Sequence, residues 1–565
     1  MGGSERHTSQ TPPTTAEWAV FAALMVFLAV ISVGTYYHLG EDAFITFRYA
    51  ENLAAGRGLV YNPGEWVEGY SNLLWVLLLV PGEWIGIPMH LAARLLTLAF
   101  LAALVYTCWR TARALSHAGG PGWLLWWLPL AAVLEPLVRF HADRGLETVP
   151  YIALLGMALL VAARGGSVWL PAALAAGATL MRPEGVGLAL ALAPAVWFAA
   201  APLGNAAALR RTCLYASVPL AAFLLQLAFR RAVYGEWVPN TMIAKKGGIG
   251  GGPAEITAYI ASHAFVPLFA LAGALLGLAS ERTRPLAAGT LLLALATMAF
   301  QTRAGALVSE GFRYLAPMAV CTLAGGWLLL DRLRETLERH RLPGGGAVLL
   351  TAAAALLALL VYLPRTEGPA AFYFRGNTDA PRSRLHVRLF EPNTWNLADR
   401  ARWFFHEPIY LNAEAGRWLR ANLPEDATLA ADQMGQLGYY AAPTQTIIDL
   451  LGLMDAHVAR HGISMDYLAE RSPSHIVMEV ALDSPYWPRD WRLRPHVPFL
   501  REFVEENEAE FFSRYQPRWL LRPNITVMET GFMVYQSIDL DDDAEMEEIH
   551  LGVDDEQFDR AWRVL

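Results

Sequence analysis

Eleven apolar blocks, most of about 15 to 20 residues, follow one another between residues 18 and 363, and none comes after them. A block of that length matches the hydrocarbon thickness of a bilayer. A chain carrying many of them satisfies its backbone polar groups there only as a bundle of helices. The predicted spans are 18–37, 90–109, 123–138, 148–164, 168–181, 185–201, 213–231, 263–279, 285–302, 314–330 and 347–363. The block 73–88 is also apolar, but Pro81-Gly82-Glu83 interrupts it. It reads as a helix along the outer surface, with Trp75 and Trp84 as interfacial anchors. The fold class is therefore a polytopic α-helical membrane protein of about eleven spans over residues 1–364, with a first outer loop at 38–89. Residues 365–565 mix short apolar runs with polar ones and read as an α/β domain outside the membrane. A hydrophobic content of 55 % with 17 % charged residues agrees with this division.

The first block, 18–37, has no small-residue cleavage site and reads as an uncleaved span with a cytoplasmic N-terminus. Eleven spans then put loop 38–89 and the C-terminal domain on the same outer side. The predicted inner loops carry Arg110, Arg113, Arg164, Arg210, Arg211, Arg282, Arg284 and the run from Arg332 to Arg341, as a positive inner side requires. The outer loops are hardly less basic, with Arg48, Arg57, Arg144, Arg182, Lys245, Lys246, Arg303 and Arg313. That second set reads as a cationic site on the outer face. Lys245 and Lys246 are the only lysines in the chain, and they are neighbours. The net charge of −8 comes mainly from the tail, and residues 365–565 contain no basic stripe, so nucleic acid is not an expected partner. Cys108, Cys213 and Cys321 lie in or beside apolar blocks, which gives neither a disulfide framework nor a metal spacing.

The segment 41–72 is the most polar stretch beside a membrane exit. It reads Glu41-Asp42-Ala43-Phe44-Ile45-Thr46-Phe47-Arg48-Tyr49, then Gly58-Leu59-Val60-Tyr61-Asn62-Pro63-Gly64, then Val67-Glu68-Gly69-Tyr70-Ser71-Asn72. Ionisable groups at that depth are costly and point to chemistry or a polar ligand. Two adjacent carboxylates suit general-base work, because a partly buried acid beside another gains proton affinity. Asp42 is the candidate base, with Glu41 orienting it or tuning it. In the structural alternative the pair caps a helix starting near Ala43, with Asp42 as N-cap. His141, Asp143, Arg144 and Glu147 form a second polar cluster at a predicted outer loop; a surface Asp143–Arg144 pair is its plainer reading.

These motifs resemble the GT-C class of membrane glycosyltransferases, which place an acidic pair at the start of the first outer loop and a surface helix before the second span. Within the class they are similar to the terminal arabinofuranosyltransferase family of mycobacterial and corynebacterial cell walls and its bacterial relatives. That family's motif has aspartate where Glu41 stands. The resemblance extends to Met181-Arg182-Pro183-Glu184-Gly185, to Tyr234-Gly235-Glu236-Trp237-Val238-Pro239-Asn240-Thr241 with Ala244-Lys245, to Phe312-Arg313-Tyr314, and in the tail to 432–440 and 449–453.

The resemblance implies a transferase in a bacterial plasma membrane with its C-terminal domain periplasmic. It would move a sugar, arabinofuranose in the nearest family, from a polyprenyl-phosphate donor to a cell-envelope polysaccharide. It further implies cations for the departing phosphate: Lys245 and Arg313 first, then Arg48 and Arg182, since arginine presents a planar fork and lysine a point charge. Glu68, Tyr70, Asn72 and Asn240 are the expected partners of sugar hydroxyls, with His141 and Asp143 as minor ones. No His/Cys/Asp grouping has a specific metal spacing, although two carboxylates in an outer loop suit Ca²⁺ or Mg²⁺. Other GT-C chemistry, such as mannosyl transfer, is an alternative. So is a transporter or flippase of lipid-linked sugars, which predicts internal repeats and mid-membrane polar groups; the charges here gather at span ends.

In the tail, 427–431, 446–450, 519–521 and 532–536 read as strands, and 414–422 and 499–512 as helical. Trp395, Trp487 and Trp491 offer stacking faces for sugar rings. The expected role of the domain is acceptor-glycan recognition, with scaffolding of the outer loops as the alternative.

Overall fold

Among the described residues, apolar helices lie between Thr15 and Arg339 and a mixed sheet between Leu429 and Leu551. The computed structural model describes residues 12–33, 39–116, 122–142, 144–245, 252–262, 266–304, 310–339, 411–441, 446–481, 497–523, 530–537 and 546–551. The predicted span 347–363, Asp143, Lys246, Trp395, Trp487 and Trp491 lie outside the described residues.

The helices are α1 (Thr15–Val33), α2 (Glu41–Ala54), α3 (Leu73–Trp84), α4 (Met89–Leu115), α5 (Gly122–Leu134), α6 (Pro136–His141), α7 (Thr148–Arg164), α8 (Trp169–Met181), α9 (Gly185–Leu190), α10 (Ala193–Ala200), α11 (Asn205–Tyr234), α12 (Asn240–Ala244), α13 (Gly252–Ser262), α14 (Val266–Gly277), α15 (Arg284–Ala304) and α16 (Met318–Arg339). Among the described residues, four stretches are long and apolar enough to cross a bilayer: α4, Gly185–Leu203, α11 and α15. Shorter apolar helices, α7, α8 and α14 among them, complete the bundle.

Two predicted spans are broken. The 123–138 block stops at Leu134; Glu135 then accepts the Val138 N–H at 2.8 Å and caps α6, which starts at Pro136. The 185–201 block bends between α9 and α10.

α7 is apolar on every side and is buried from Thr148 to Ala163, which makes it the centre of the bundle. α11 is the opposite case: Leu220, Leu224, Leu225 and Phe229 are exposed on it, as lipid-facing residues are. α14 and α16 cross in backbone contact. A Cβ at Gly273 would lie 2.2 Å from the Gly325 carbonyl oxygen, and one at Gly325 2.1 Å from that of Ala270. Small residues at a crossing let helices pack closely where no water drives them together. The interrupted block 73–88 forms α3 as expected, with Trp84 70 % exposed at its end. Trp75 corrects the sequence reading. It is fully buried and donates from Nε1 to the Gly145 carbonyl at 3.1 Å, so it is a core residue and not an interfacial anchor.

The C-terminal sheet has β1 (Leu429–Ala431), β2 (Ile447–Asp449), β3 (His475–Ala481), β4 (Tyr515–Pro523), β5 (Thr530–Ser537) and β6 (Glu547–Leu551), in the order β2-β1-β3-β5-β4-β6. β2, β1 and β3 run parallel; β5 is antiparallel to β3 and β4, and β6 is parallel to β4. One face, with Leu429, Ala431, Val477 and Val534, belongs to the core that continues into the helical domain. The other, with Ala430, Ile448, Ile476, Met478 and Met533, packs with Val458, Leu468, Leu500, Val504 and Phe511 from the helices around it. The four predicted strands and the helix Leu411–Asn422 are present, while β3 and β6 were not predicted.

The segment between α2 and α3 is bonded to this domain. Tyr61 Oη donates to the Met434 carbonyl at 2.6 Å. The Asn62 amide exchanges bonds with Ile447, donating to its carbonyl at 2.9 Å and accepting its N–H at 3.1 Å.

Candidate active site at one end of the bundle

α2 begins at Glu41 with Gly40 as its N-cap residue, so the carboxylates occupy the first turn and Asp42 is not the cap. Acidic groups are favoured there by the helix dipole. The Gly40 N–H donates to the Arg144 carbonyl at 2.8 Å, which pins this helix end to the loop that carries Glu147. The two neighbours then face different surroundings. Asp42 has a side chain 52 % exposed, whereas Glu41 is half-buried beneath the C-terminal domain. Glu41 Oε1 accepts the Gln436 N–H at 2.9 Å. Burial pushes the Glu41 carboxyl up to about 7; the Gln436 amide works against that rise and the Asp42 charge adds to it.

Asp42 Oδ2 is 3.2 Å from Arg313 Nη1. Arg313 Nη2 reaches Glu147 Oε1 at 2.8 Å, and Arg182 Nη1 reaches the same oxygen at 2.8 Å. The second Glu147 oxygen accepts from Asn72 Nδ2 at 2.9 Å, and Asn72 is held in turn by Thr46 Oγ1 at 3.1 Å. Arg182 Nε is paired with Glu184. The result is a line of alternating charge, Asp42–Arg313–Glu147–Arg182–Glu184, gathered from four separate parts of the chain.

Glu147 is its hub and has no exposed surface. Burial alone would raise its carboxyl, but the Arg313 and Arg182 guanidiniums outweigh it and hold the group down at about 2. Both arginines move up for the reciprocal reason: burial disfavours their charge, and the carboxylates overcome it. Phe312, buried beside Tyr259, has φ 58°, a left-handed conformation that costs a non-glycine residue about 1–3 kcal/mol. Such strain at the residue before Arg313 marks a turn held by its surroundings. Arg313 Nε is buried with no hydrogen-bond partner among the described residues.

Of the predicted site residues, Asp42, Arg313, Arg182 and Asn72 are thus brought together, with Glu41 beside them. Arg48 is a correction. It is buried, its Nε and Nη1 donate to the Tyr61 and Gly438 carbonyls at 2.8 and 2.7 Å, and its guanidinium lies 4.3 Å above the Tyr61 ring. It ties α2 to the C-terminal domain and does not join the Asp42–Arg313–Glu147–Arg182–Glu184 line.

Glu68 pairs with Arg230, and Tyr70 Oη is 3.2 Å from Tyr234 Oη, so both join loop 38–89 to the end of α11. Asn240 Nδ2 donates to the Gly452 and Leu453 carbonyls at 2.8 and 3.0 Å, which clamps α12 to the C-terminal domain. Those three are in structural bonds, not facing an open site. Lys245 follows α12 with an exposed side chain. His141 is buried at the end of α6, edge-on to Phe140. Glu147, read from the sequence only as one member of the second polar cluster, and Glu184, unassigned there, are the residues that reasoning missed. The signal for Glu147 was an acid directly before the apolar block 148–164, whereas Asp42 was singled out by its neighbouring carboxylate after the first block.

The chain is similar to known proteins in three comparisons. Residues 401–527 match a family model described as "Domain of unknown function (DUF8728)". Over 232 residues the chain is 34 % identical to the terminal β-(1→2)-arabinofuranosyltransferase of Mycobacterium tuberculosis, a match covering 37 % of this chain. The match spans 35 % of that relative's length. Among solved structures, ArnT from Cupriavidus metallidurans bound to undecaprenyl phosphate superposes with a TM-score of 0.51 and 15 % identity, covering 92 % of this chain and 98 % of that one. Its apo form gives the same values. The chain is thus a distant homologue of the mycobacterial transferase over the matched residues and carries the ArnT-like GT-C fold.

Proposed function

We propose that this protein is a GT-C glycosyltransferase that moves a sugar from a polyprenyl-phosphate donor to a hydroxyl of a cell-envelope glycan, outside the plasma membrane. The observation that carries the reading is the Asp42–Arg313 pair at 3.2 Å, an exposed carboxylate next to a guanidinium fixed from behind by Glu147.

As the acceptor oxygen bonds to the anomeric carbon, Asp42 takes its proton. The bond from that carbon to the phosphate oxygen breaks, and the phosphate keeps the electron pair. Arg313, with Arg182 behind it and Lys245 from the loop after α12, meets the charge that develops there. The unpartnered Arg313 Nε supports a ligand oxygen at this point. Glu147, itself held by Asn72, fixes both arginines in place before the donor arrives, so little reorganisation is needed during reaction. In this reading eleven spans leave the N-terminus cytoplasmic and the C-terminal domain periplasmic. Arabinofuranose is the sugar proposed, from the mycobacterial relative. A transporter is disfavoured because the charged set sits at helix ends.

The test offers the purified protein a panel of synthetic polyprenyl-phosphate sugars and an oligosaccharide acceptor, with products analysed by mass spectrometry. Arabinofuranosyl transfer is the expected product. Transfer of mannose alone would overturn the sugar, and no transfer from any donor would overturn the reading.

A further inference from the structure

The parallel part of the C-terminal sheet ends beside the catalytic pair. β1 lies between β2 and β3. The chain leaves β1 towards β2 on one side, and it leaves β3 towards the antiparallel strands on the other. Connections that diverge from neighbouring parallel strands open a crevice at their C-terminal ends, which is where open α/β sheets bind ligands. Asp432 is the first residue past β1, and Gln433 follows it.

Glu479 lies on β3, two residues beyond Val477, and so shares the face that Val477 turns to the helical domain. Asp432 Oδ2 accepts the Glu479 N–H at 2.9 Å, and Gln433 Nε2 donates to Glu479 Oε2 at 3.0 Å. Asp432 has no exposed surface, and its Oδ1 is buried with no hydrogen-bond partner among the described residues. An unmade bond on a fully buried carboxyl is costly in a native protein unless something completes it. Burial raises the proton affinity of this carboxyl, so it can donate as well as accept. Gln433 and Glu479 are half-buried. Two residues further on, Gly435 touches the catalytic pair, since a Cβ there would lie 2.1 Å from the Glu41 carbonyl oxygen.

We propose that Asp432, Gln433 and Glu479 form a subsite for hydroxyls of the acceptor sugar, placing it next to Glu41 and Asp42. The inference rests on the transferase reading and adds where the acceptor binds. A carboxyl, a carboxylate and an amide on adjacent strand ends match the alternating donors and acceptors of a sugar ring. The three-residue path from Asp432 to Gly435 links the subsite to the contact with Glu41 beside the base.

The test uses the full-length protein in nanodiscs with Glu479→Gln, Gln433→Ala and Asp432→Asn. Initial rates are measured against acceptor and donor concentration separately, and acceptor binding is followed by saturation-transfer NMR without donor. Acceptor KM is expected to rise about tenfold or more in Glu479→Gln and Gln433→Ala, with donor KM within about twofold and the NMR signal weakened. Asp432→Asn should do the same if it folds; the two half-buried positions carry the test if it does not. Unchanged acceptor KM and NMR signal in both would overturn the subsite. An equal rise in both KM values would overturn it too, as it would indicate a merely structural role. Should the wild type transfer nothing, the transferase reading fails, while NMR binding sensitive to these residues would still support a glycan site.

Discussion

Replacing Glu147 by glutamine removes the charge from the hub and leaves its shape. The carboxyl is drawn from 4.5 to about 2 in the fold, which corresponds to about 3 kcal/mol in favour of the charged form. Removing one member of a buried ion pair typically costs about 3–5 kcal/mol, because the remaining charge is left uncompensated. Here two guanidiniums lose their common partner. Asp42 then becomes the main counter-ion of Arg313, which draws the base towards the cation and away from an acceptor. About 3 kcal/mol is about a hundredfold in rate if it falls on the transition state. The assay is sugar transfer at saturating donor, together with thermal unfolding in detergent.

We expect Glu147→Gln to lose about a hundredfold in kcat and to unfold at a lower temperature, and Glu147→Asp to recover part of both. Activity within threefold of wild type, with an unchanged unfolding temperature, would falsify the hub assignment. The pH dependence has a definite sign. Because the folded value is depressed, the stabilisation is fully present above about 4.5 and is lost as pH falls from there through 2. The glutamine variant should lack that part of the acid unfolding curve.

Glu41, held near 7, should contribute stability below about 4.5 that is lost as pH rises through 7, and its ionisation should bend the pH–rate profile near 7. Rates of Glu41→Gln between pH 5.5 and 8.5 should show no such bend; an unchanged bend would assign it to another group. Gly435→Ala places a Cβ 2.5 Å from Glu41 Oε1 and should lower kcat at least tenfold with little effect on donor KM, whereas unaltered kinetics would mean that the contact yields freely. Arg48→Met should loosen the C-terminal domain, seen as faster proteolysis of that domain at unchanged donor affinity; weakened donor binding alone would restore Arg48 to the phosphate site.

The helical character of the N-terminal part was readable because hydropathy reports directly on lipid exposure and burial, but the reading ran 123–138 through the break at Glu135-Pro136. The site was readable in part. Asp42, Arg182 and Arg313 each carry charge beside an apolar block, which is a cost the sequence displays. What those charges bond to is not displayed. Arg48 sits in the same polar motif as Asp42, and only the fold reveals that its partner is a carbonyl 390 residues away. Glu68, Tyr70 and Asn240 misled for the same reason, since a residue that knits two loops and one that grips a sugar have the same chemistry. Glu147 was underrated because its role depends on two arginines that come from α8 and from the turn before α16. In the C-terminal domain the alternation of the short strands could be read, but β3 has almost every described residue buried and gave no period.

The central claim is that Asp42 takes the acceptor proton while Arg313 faces the leaving phosphate. Single-turnover transfer from a synthetic polyprenyl-phosphate arabinofuranose, comparing wild type with Asp42→Asn at matched donor occupancy, tests it. The account predicts a rate lower by about 100- to 10,000-fold, the usual contribution of a general base, with donor affinity retained. A variant that transfers at the wild-type rate would contradict it.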